Sequence, residues 1–170
     1  MYRLIAPQPN NYSAWNEALK EFGDGPIDGS GFFGDFHPLD LSPTAFEEYL
    51  SVRTAAADPT VPPPKNFVHC SYFWIVDEKE TLLGFLALRH ALTPFLLEQG
   101  GHIGYSVRPS ARNQGVATAA LELGLAEARA LGIDDVLVCA KTDNIASNKV
   151  IERCGGAFES TINGIHRYWF

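Results

Sequence analysis

The segment that most constrains this chain is a basic turn within residues 107–118, between an apolar run and a helix of small residues. The apolar run ends at Val107, and the helix is predicted to begin near Gly115. The turn between them leaves backbone N–H groups without helical partners at the positive end of a helix dipole. Gly115 and Ala117 leave the approach to these groups open, and Arg112 adds a fixed positive charge. The segment therefore predicts a site for phosphate or a similar anion.

The rest of the chain alternates strand-like and helix-like segments, which predicts an α/β (α+β) fold. Ser13 and Ser42 are suited to cap the first two helices, and Asn163-Gly164 favours a tight hairpin near the end. Strands are predicted at residues 2–5, 68–76, 82–90, 102–107, 136–140, 157–162 and 165–170. Helices are predicted after Ser13, after Ser42, at 115–131 and at 144–154, with a short helical turn within 92–99. Residues 23–40 and 58–64 have no helical or strand period and are predicted to be loops.

Composition excludes several classes of protein. The chain has 170 residues, of which 46% are hydrophobic and 19% charged, so we expect a single globular domain over residues 1–170. The formal net charge of −7 argues against binding to nucleic acid and is compatible with an amine substrate. Cys70, Cys139 and Cys154 lack metal-ligand spacing and indicate buried thiols of a reducing compartment. The sequence contains no signal peptide and no membrane-spanning run, so we expect a cytoplasmic protein with no membrane contact and no metal site.

The spacing Arg-x-x-Gly-x-Ala of residues 112–117, placed after a strand, resembles the acetyl-CoA pyrophosphate loop of the GNAT family of N-acetyltransferases. A second match lies in residues 144–156, where the family carries an Asn, a small residue three positions on, and a Gly just past the helix. The resemblance extends from about residue 66 to the C-terminus. Three further runs, at 89–90, 100–109 and 167–170, resemble a subgroup of predicted acetyltransferases.

The resemblance implies the GNAT fold, with a mixed central sheet of about six to seven strands, a splayed parallel pair and about four flanking helices. It also implies acetyl-CoA as cosubstrate, with pantetheine in the gap between the splayed strands. The residues that it implies for cofactor binding are Val107, Arg112, Asn113, Gln114, Gly115, Val116, Ala117, Thr118, Asn144, Ser147 and Lys149. For Asn144, the alternative is a plain helix cap.

The predicted proton donor departs from the family pattern. Many GNAT enzymes carry a tyrosine acid seven residues after the helix asparagine, and here that position is Ile151, which has no transferable proton. Ser147 is the substitute that the resemblance implies, and Tyr105 and Tyr168 are alternatives.

The predicted general base is His102, near the start of the strand that precedes the basic turn. An imidazole has a suitable pKa for accepting a proton at neutral pH. The alternatives are a structural role for His102, with His90, Glu98 or an ordered water as the base.

Two functional hypotheses follow from the resemblance. The first is an acetyl-CoA-dependent N-acetyltransferase that acts on a small-molecule or peptide amine, and the second is an acyl-CoA-binding module with little catalysis. Ile151 favours the module, whereas His102 and the candidate acceptor loop at residues 23–40 favour the enzyme. Pairing of two copies through the C-terminal strands, as in many relatives, would give a homodimer.

Overall fold

A computed structural model describes residues 1–32 and 40–170. Its strands are β1 (Arg3–Ile5), β2 (Cys70–Val76), β3 (Leu82–Arg89), β4 (Ile103–Val107), β5 (Leu137–Lys141), β6 (Ala157–Ile162) and β7 (Ile165–Trp169). Within these residues they form one mixed sheet in the order β1-β2-β3-β4-β5-β7-β6. Only β4 and β5 pair in parallel, while the other described pairs are antiparallel. The predicted mixed sheet with a parallel pair is confirmed.

The α-helices of the described chain are α1 (Tyr12–Phe22), α2 (Pro43–Ala55), α3 (Val116–Ala130) and α4 (Ile145–Arg153). Short 3₁₀ turns cover Pro9–Asn11 and Pro109–Ala111, and a π-helical turn covers Leu96–Gly100. Ser42 caps α2 as predicted, since its hydroxyl accepts from Ala45 N at 3.2 Å. The predicted cap at Ser13 is wrong: the turn at Pro9–Asn11 leads directly into α1, which begins at Tyr12, before Ser13. The predicted loop at residues 23–40 lies only partly within the described chain.

The sheet is covered on both faces because its central strands are apolar on both sides. In β2 and β3, Ile75 and Leu86 pack with the apolar side of α3, whereas Trp74 and Phe85 pack with α1 and α2. This alternation follows the two-residue period of a strand. None of the described helices combines the length and the apolar character that crossing a bilayer requires.

The C-terminal hairpin forms as the sequence predicts. Asn163 and Gly164 connect β6 to β7 with φ of 50° and 78°. Two successive positive φ values are the requirement of the type I′ turn that an Asn-Gly pair favours. This hairpin adds β7 to the free side of β5, opposite β4.

Helix α3 approaches the sheet closely at Gly124. A Cβ there would lie 3.0 Å from Leu86 Cδ1 and 3.4 Å from Ile103 Cδ1. We expect Gly124→Val to lower the free energy of unfolding by about 2 kcal/mol, because the larger side chain would push α3 away from β3 and β4. Ala126→Val, on the exposed face of the same helix, controls for the cost of a β-branched residue in a helix. Urea unfolding of the two variants measures the difference, and equal losses would contradict a close contact at Gly124.

Candidate active site

The candidate site begins where β4 and β5 separate. Ile103 and Val138 are the one registered pair of these two strands within the described residues. His102 joins the strands at this end, since its backbone N donates to Leu137 O at 2.7 Å and its ring Nδ1 accepts from Leu137 N at 2.9 Å. Its backbone O meanwhile accepts from Arg89 N on β3 at 2.8 Å. Beyond this junction the ladder between β4 and β5 stops, and a gap opens between them.

Backbone N–H groups of β4 point into this gap. Arg108 N donates to Leu83 O, so the even-numbered positions of β4 direct their backbone groups toward β3. Tyr105 and Val107 alternate with them and therefore direct theirs toward the gap. Val107 O accepts from Arg112 Nε at 3.1 Å, which binds the Arg112 side chain to the same strand end. The gap is thus lined by backbone N–H donors, which are groups able to polarise a carbonyl oxygen.

The basic turn after β4 presents a row of unpaired backbone donors. Asn113 and Gly115 have positive φ of 60° and 78°, which turns successive N–H groups toward one side. No acceptor within residues 1–32 and 40–170 binds the backbone N–H groups of residues 113–118, and the first bond of α3 runs from Ala119 N to Gly115 O at 3.1 Å. A Cβ on Gly115 would meet no atom within 4 Å, so the approach is open. Free N–H donors at a helix N-terminus are groups that bind phosphate in many proteins.

Helix α1 holds this turn in place through Glu21. The carboxylate accepts from the backbone N–H of Ser110 and lies 2.5 Å from Arg108 Nη2. Tyr2 donates its hydroxyl to Gln114 O at 2.9 Å, and Gln114 Nε2 donates to Ser110 O at 3.0 Å. Partial burial opposes the charge of Glu21, but the bonds from Ser110 and Arg108 hold the pKa of its carboxyl below the usual value.

The turn and the gap open into one cleft of about 1250 Å³. The lining extends from the end of β4 to the first turns of α3 and α4. Among the described lining residues the cationic ones are Arg89, Arg112, Lys141, Lys149 and Arg153. Asp28 is the one carboxylate in that lining. A chain of net charge −7 therefore concentrates positive charge in its cleft, as binding of a polyanion requires.

Helix α4 brings the two predicted residues Asn144 and Ser147 to the cleft. Asn144 caps the helix, since its Oδ1 accepts from Ser147 N at 3.1 Å. The helix-cap alternative is therefore realised, and Asn144 also lines the cleft, with its amide NH₂ not used in the cap. Ser147 Oγ lies 3.1 Å from the hydroxyl of Tyr105, which reaches across from β4. Burial raises the pKa of Tyr105 to about 12, so its phenol is protonated at neutral pH.

The geometry disagrees with the predicted role of His102 as general base. Its side chain is buried and is not part of the cleft lining. Because Nδ1 accepts from Leu137 N, the neutral ring carries its proton on Nε2 and has no lone pair left for a substrate proton. Burial, aided by the charge of Arg89, lowers the pKa of His102 and keeps the ring neutral. The structural alternative explains its position at the junction of β4 and β5.

Three of the alternative proton carriers, His90, Glu98 and Tyr168, also lie outside the cleft lining, whereas Tyr105 and Ser147 are part of it. His90 Nε2 pairs with Ser71 Oγ at 2.8 Å, and Glu98 is exposed on the π-helical turn. Tyr168 donates to Asn148 Oδ1 at 2.9 Å within a buried cluster. Ile151, at the position of the usual family tyrosine, is fully buried in the core.

Sequence reasoning missed Asn148, which fixes helix α4. Its Nδ2 donates to Lys141 O and Asn144 O, both at 2.9 Å, while Oδ1 accepts from Tyr168. These bonds tie the start of α4 to the ends of β5 and β7. The available signal was its position three residues before Ile151, on the face of α4 that packs against the core.

Asp28 and Arg89 are two further charged residues of the cleft to which the sequence analysis gave no role in the site. Asp28 was one of four aspartates between residues 24 and 40, and nothing local distinguished it. Arg89 lay at the end of a predicted strand, in the run 89–90 that resembles a subgroup of acetyltransferases, and nothing in the sequence connected it with the site. Only the tertiary structure brings both of them to the gap.

Comparison with known families agrees with this geometry. The sequence model of a family described as "Acetyltransferase (GNAT) domain" matches residues 35–157. No curated protein matches the chain.

Solved structures with the same fold include three acetyltransferases. Mycobacterium smegmatis RimJ, in complex with a CoA disulfide, superposes with a TM-score of 0.70 at 18% identity, over 99% of this chain and 81% of that one. A Salmonella typhimurium acetyltransferase modifies the N-terminal serine of ribosomal protein L7/L12. It superposes with a TM-score of 0.64 at 17% identity, over 99% of this chain and 94% of that one. Vibrio cholerae spermidine N-acetyltransferase, bound to CoA and spermine, superposes with a TM-score of 0.63 at 14% identity, over 99% of this chain and 94% of that one. At these identities the likeness establishes the fold.

We expect Glu21→Gln to lower the free energy of unfolding by about 1–2 kcal/mol at neutral pH, because it removes the charge that binds Ser110 and Arg108. The pKa of Glu21 is lowered in the folded state, so its contribution exists above the unfolded pKa and is lost as pH falls through the folded pKa. The difference from the unmodified protein should therefore shrink on acidification in urea unfolding experiments. Glu17→Gln, on the exposed side of α1, is the matched control. A pH-independent difference would contradict the ionic link.

Proposed function

Because this chain belongs to the GNAT acetyltransferase family, we propose that it transfers an acetyl group from acetyl-CoA to a primary amine of a small molecule or a peptide. The observation that carries this proposal is the row of unpaired N–H donors at residues 113–118, at the mouth of the gap between β4 and β5. A diphosphate on these donors would direct an attached pantetheine arm into the gap. Positive charge along the rest of the cleft supports a polyphosphate donor.

In this proposal the phosphate groups contact the turn from Arg112 to Thr118 and the side chain of Lys149. Asn144 donates its amide NH₂ to a pantetheine carbonyl, because its Oδ1 is already used as the helix cap. Backbone groups of Val107 and Tyr105 bind pantetheine and the thioester oxygen where the strands diverge. These contacts hold the thioester still while the amine approaches, and such positioning contributes a large part of the rate of a bimolecular transfer.

Tyr105 and Ser147 together stabilise the departing thiolate. Their hydroxyls lie 3.1 Å apart at the cleft. The Tyr105 phenol has a pKa raised to about 12 by burial, whereas an ordinary thiol has a pKa of about 8.5. Complete proton transfer from the phenol to the thiolate is therefore unfavourable, and Tyr105 acts by donating a hydrogen bond.

The alternative function is a module that binds acyl-CoA without transferring its acyl group. The buried Ile151 favours it, because the usual tyrosine acid is missing from α4. The Tyr105–Ser147 pair favours the enzyme, because it supplies hydroxyl donors to the same cleft from β4 and from the first turn of α4.

Release of CoA thiol from acetyl-CoA tests the proposal. The acceptors should include peptides with a free N-terminal serine and spermidine, since solved relatives act on these two classes. We expect amine-dependent thiol release together with an acetylated product detected by mass spectrometry. Tight binding of CoA by calorimetry without release for any acceptor would support the binding module.

Tyr105→Phe should lower kcat by about 10- to 100-fold, because it removes one donor to the thiolate. The factor should be the same throughout the neutral pH range, since the Tyr105 pKa of about 12 lies far above it. Tyr168→Phe removes the same hydroxyl from the buried cluster outside the cleft lining, and we expect it to affect stability more than turnover. Equal losses of kcat in the two variants would argue against a specific role for Tyr105.

A further inference from the structure

Asp28 is the one anionic group that the described residues present to the cleft; the other charged groups there are cationic, and Tyr105 and Cys139 are neutral. Its carboxylate faces a cleft that otherwise carries arginine and lysine side chains. In a site that bound only a polyphosphate, a negative charge at this position would weaken binding by repulsion. The position of Asp28 therefore suggests that the cleft also receives a cation.

A tight turn presents Asp28 to the cleft. Ser30 N donates to Ile27 O at 3.2 Å, and Ser30 Oγ donates to the same oxygen at 2.6 Å. Asp28 and Gly29 are the two central residues of this turn, and Gly29 has φ of 81°. A positive φ at the third residue of a turn favours glycine.

The same turn is seated directly on the sheet. A Cβ on Gly29 would lie 2.5 Å from Gly104 O and 2.9 Å from Leu86 Cα, so only glycine allows this close approach. Gly104 is the neighbour of Tyr105 on β4. Asp28 is thereby held beside the point where β4 leaves β5.

Arg53 of α2 secures the segment that follows the turn. Its guanidinium donates to Gly31 O at 2.5 Å and lies 5.3 Å and 5.1 Å from the ring centroids of Tyr49 and Tyr72. Such a caged arginine fixes the backbone carbonyl to which it donates. The carboxylate of Asp28 is therefore carried by a backbone fixed on both sides of Gly29.

Asp28 is an exposed residue, and its carboxylate lies in the lining of the cleft. Among the described residues no side chain or backbone group forms a hydrogen bond or an ion pair with it. Desolvation raises the pKa of Asp28, while the charges of Arg89 on β3 and Lys141 on β5 oppose the rise. Arg89 donates to Gly100 O and Gly101 O at 3.0 and 3.1 Å, so its guanidinium is already engaged. Burial is the main cause of the raised pKa of Tyr105 on β4, and the charge of Asp28 adds to it.

We propose that the Asp28 carboxylate binds the ammonium group of the acceptor and takes one proton from it before the amine attacks the thioester. This inference rests on the proposed function. The ammonium R–NH₃⁺ gives a proton to the carboxylate, which becomes a carboxylic acid, and leaves R–NH₂. The amine nitrogen forms a bond to the acetyl carbon, the carbon–sulfur bond breaks, and the electron pair leaves on the CoA sulfur. Of the two protons that nitrogen loses in total, one ends on the CoA thiol and the other passes to solvent.

Asp28→Asn tests the role, because it keeps the shape of the side chain and removes its charge. With a cationic acceptor such as spermidine or a serine peptide, kcat/KM for the amine should fall about 100-fold, within the range of a lost proton acceptor. The KM for acetyl-CoA should change less than about twofold. Asp134→Asn makes the same substitution on an exposed turn and should leave all constants unchanged.

The acceptor's own protonation gives a second readout. Hydroxylamine is mostly uncharged at neutral pH, so it needs neither the ion pair nor the base. Asp28→Asn should therefore lose less than about tenfold in kcat/KM with hydroxylamine. A loss equal to that with spermidine or the serine peptide would overturn the proposal.

Stability separates this role from a structural one. The folded-state pKa of Asp28 is raised, so its charge is unfavourable to the fold at neutral pH and becomes less so as pH falls. Asp28→Asn should melt at the same temperature as the unmodified protein or slightly above it. A marked fall in melting temperature would assign Asp28 to the architecture instead.

Binding measurements distinguish failure of this inference from failure of the proposed function. Calorimetry of spermidine and the serine peptide against the CoA complex needs no turnover. If the unmodified protein binds such a cation without acetylating it, and Asp28→Asn abolishes binding, the cation site stands while acetyl transfer and the proton-transfer step fail. If acetylation occurs and Asp28→Asn leaves its kinetics unchanged, the proposed function stands and the role of Asp28 fails. If no cationic amine binds or reacts, both fail.

Discussion

The site depends on the point at which β4 and β5 stop pairing. His102 bonds to Leu137 with both its backbone and its ring, and the next residue, Ile103, pairs with Val138, which is where the described pairing of the two strands ends. A parallel pair that continued would have used the backbone N–H groups of Tyr105 and Val107 in its own ladder. Because it ends there, those groups face a gap wide enough to admit another molecule. An interruption of regular structure thus creates the polar surface on which the site is built.

A gap of this kind must be held open by other contacts. If it closed, its unpaired backbone N–H groups would form stabilising hydrogen bonds with acceptors of the protein itself. The structure fixes each side separately. Glu21 holds the turn after β4 through Ser110 and Arg108, while Asn148 holds the start of α4 against β5 and β7. These contacts come from parts of the chain that are far apart in sequence. The unpaired donors of residues 113–118 are therefore kept in position before any ligand arrives, as preorganised electrostatic binding requires.

Local sequence signals predicted much of the fold. The positive φ values of Asn163 and Gly164 and the cap at Ser42 follow from the chemistry of single residues and their neighbours. The cap at Ser13 was wrong because the preceding turn, with Pro9, starts the helix at Tyr12, before Ser13. His102 was misjudged for a different reason: its residue type suits acid–base chemistry, but its ring lone pair is used by a strand that lies 35 residues away.

The sequence by itself determined the local features of this protein, namely a glycine-containing basic turn before one helix and an asparagine at the start of another. It also determined that the chain is long enough to bury a sheet covered on both faces. Each depends on residues that are neighbours in the chain, so the pattern alone is sufficient. Tertiary structure decided which side chains share the cleft. It brought Tyr105 to Ser147, placed Ile151 in the core, and seated the turn of Asp28 on β4. Those relations depend on the packing of segments that are distant in sequence. The same packing gives the cleft its positive charge, although the chain as a whole is acidic.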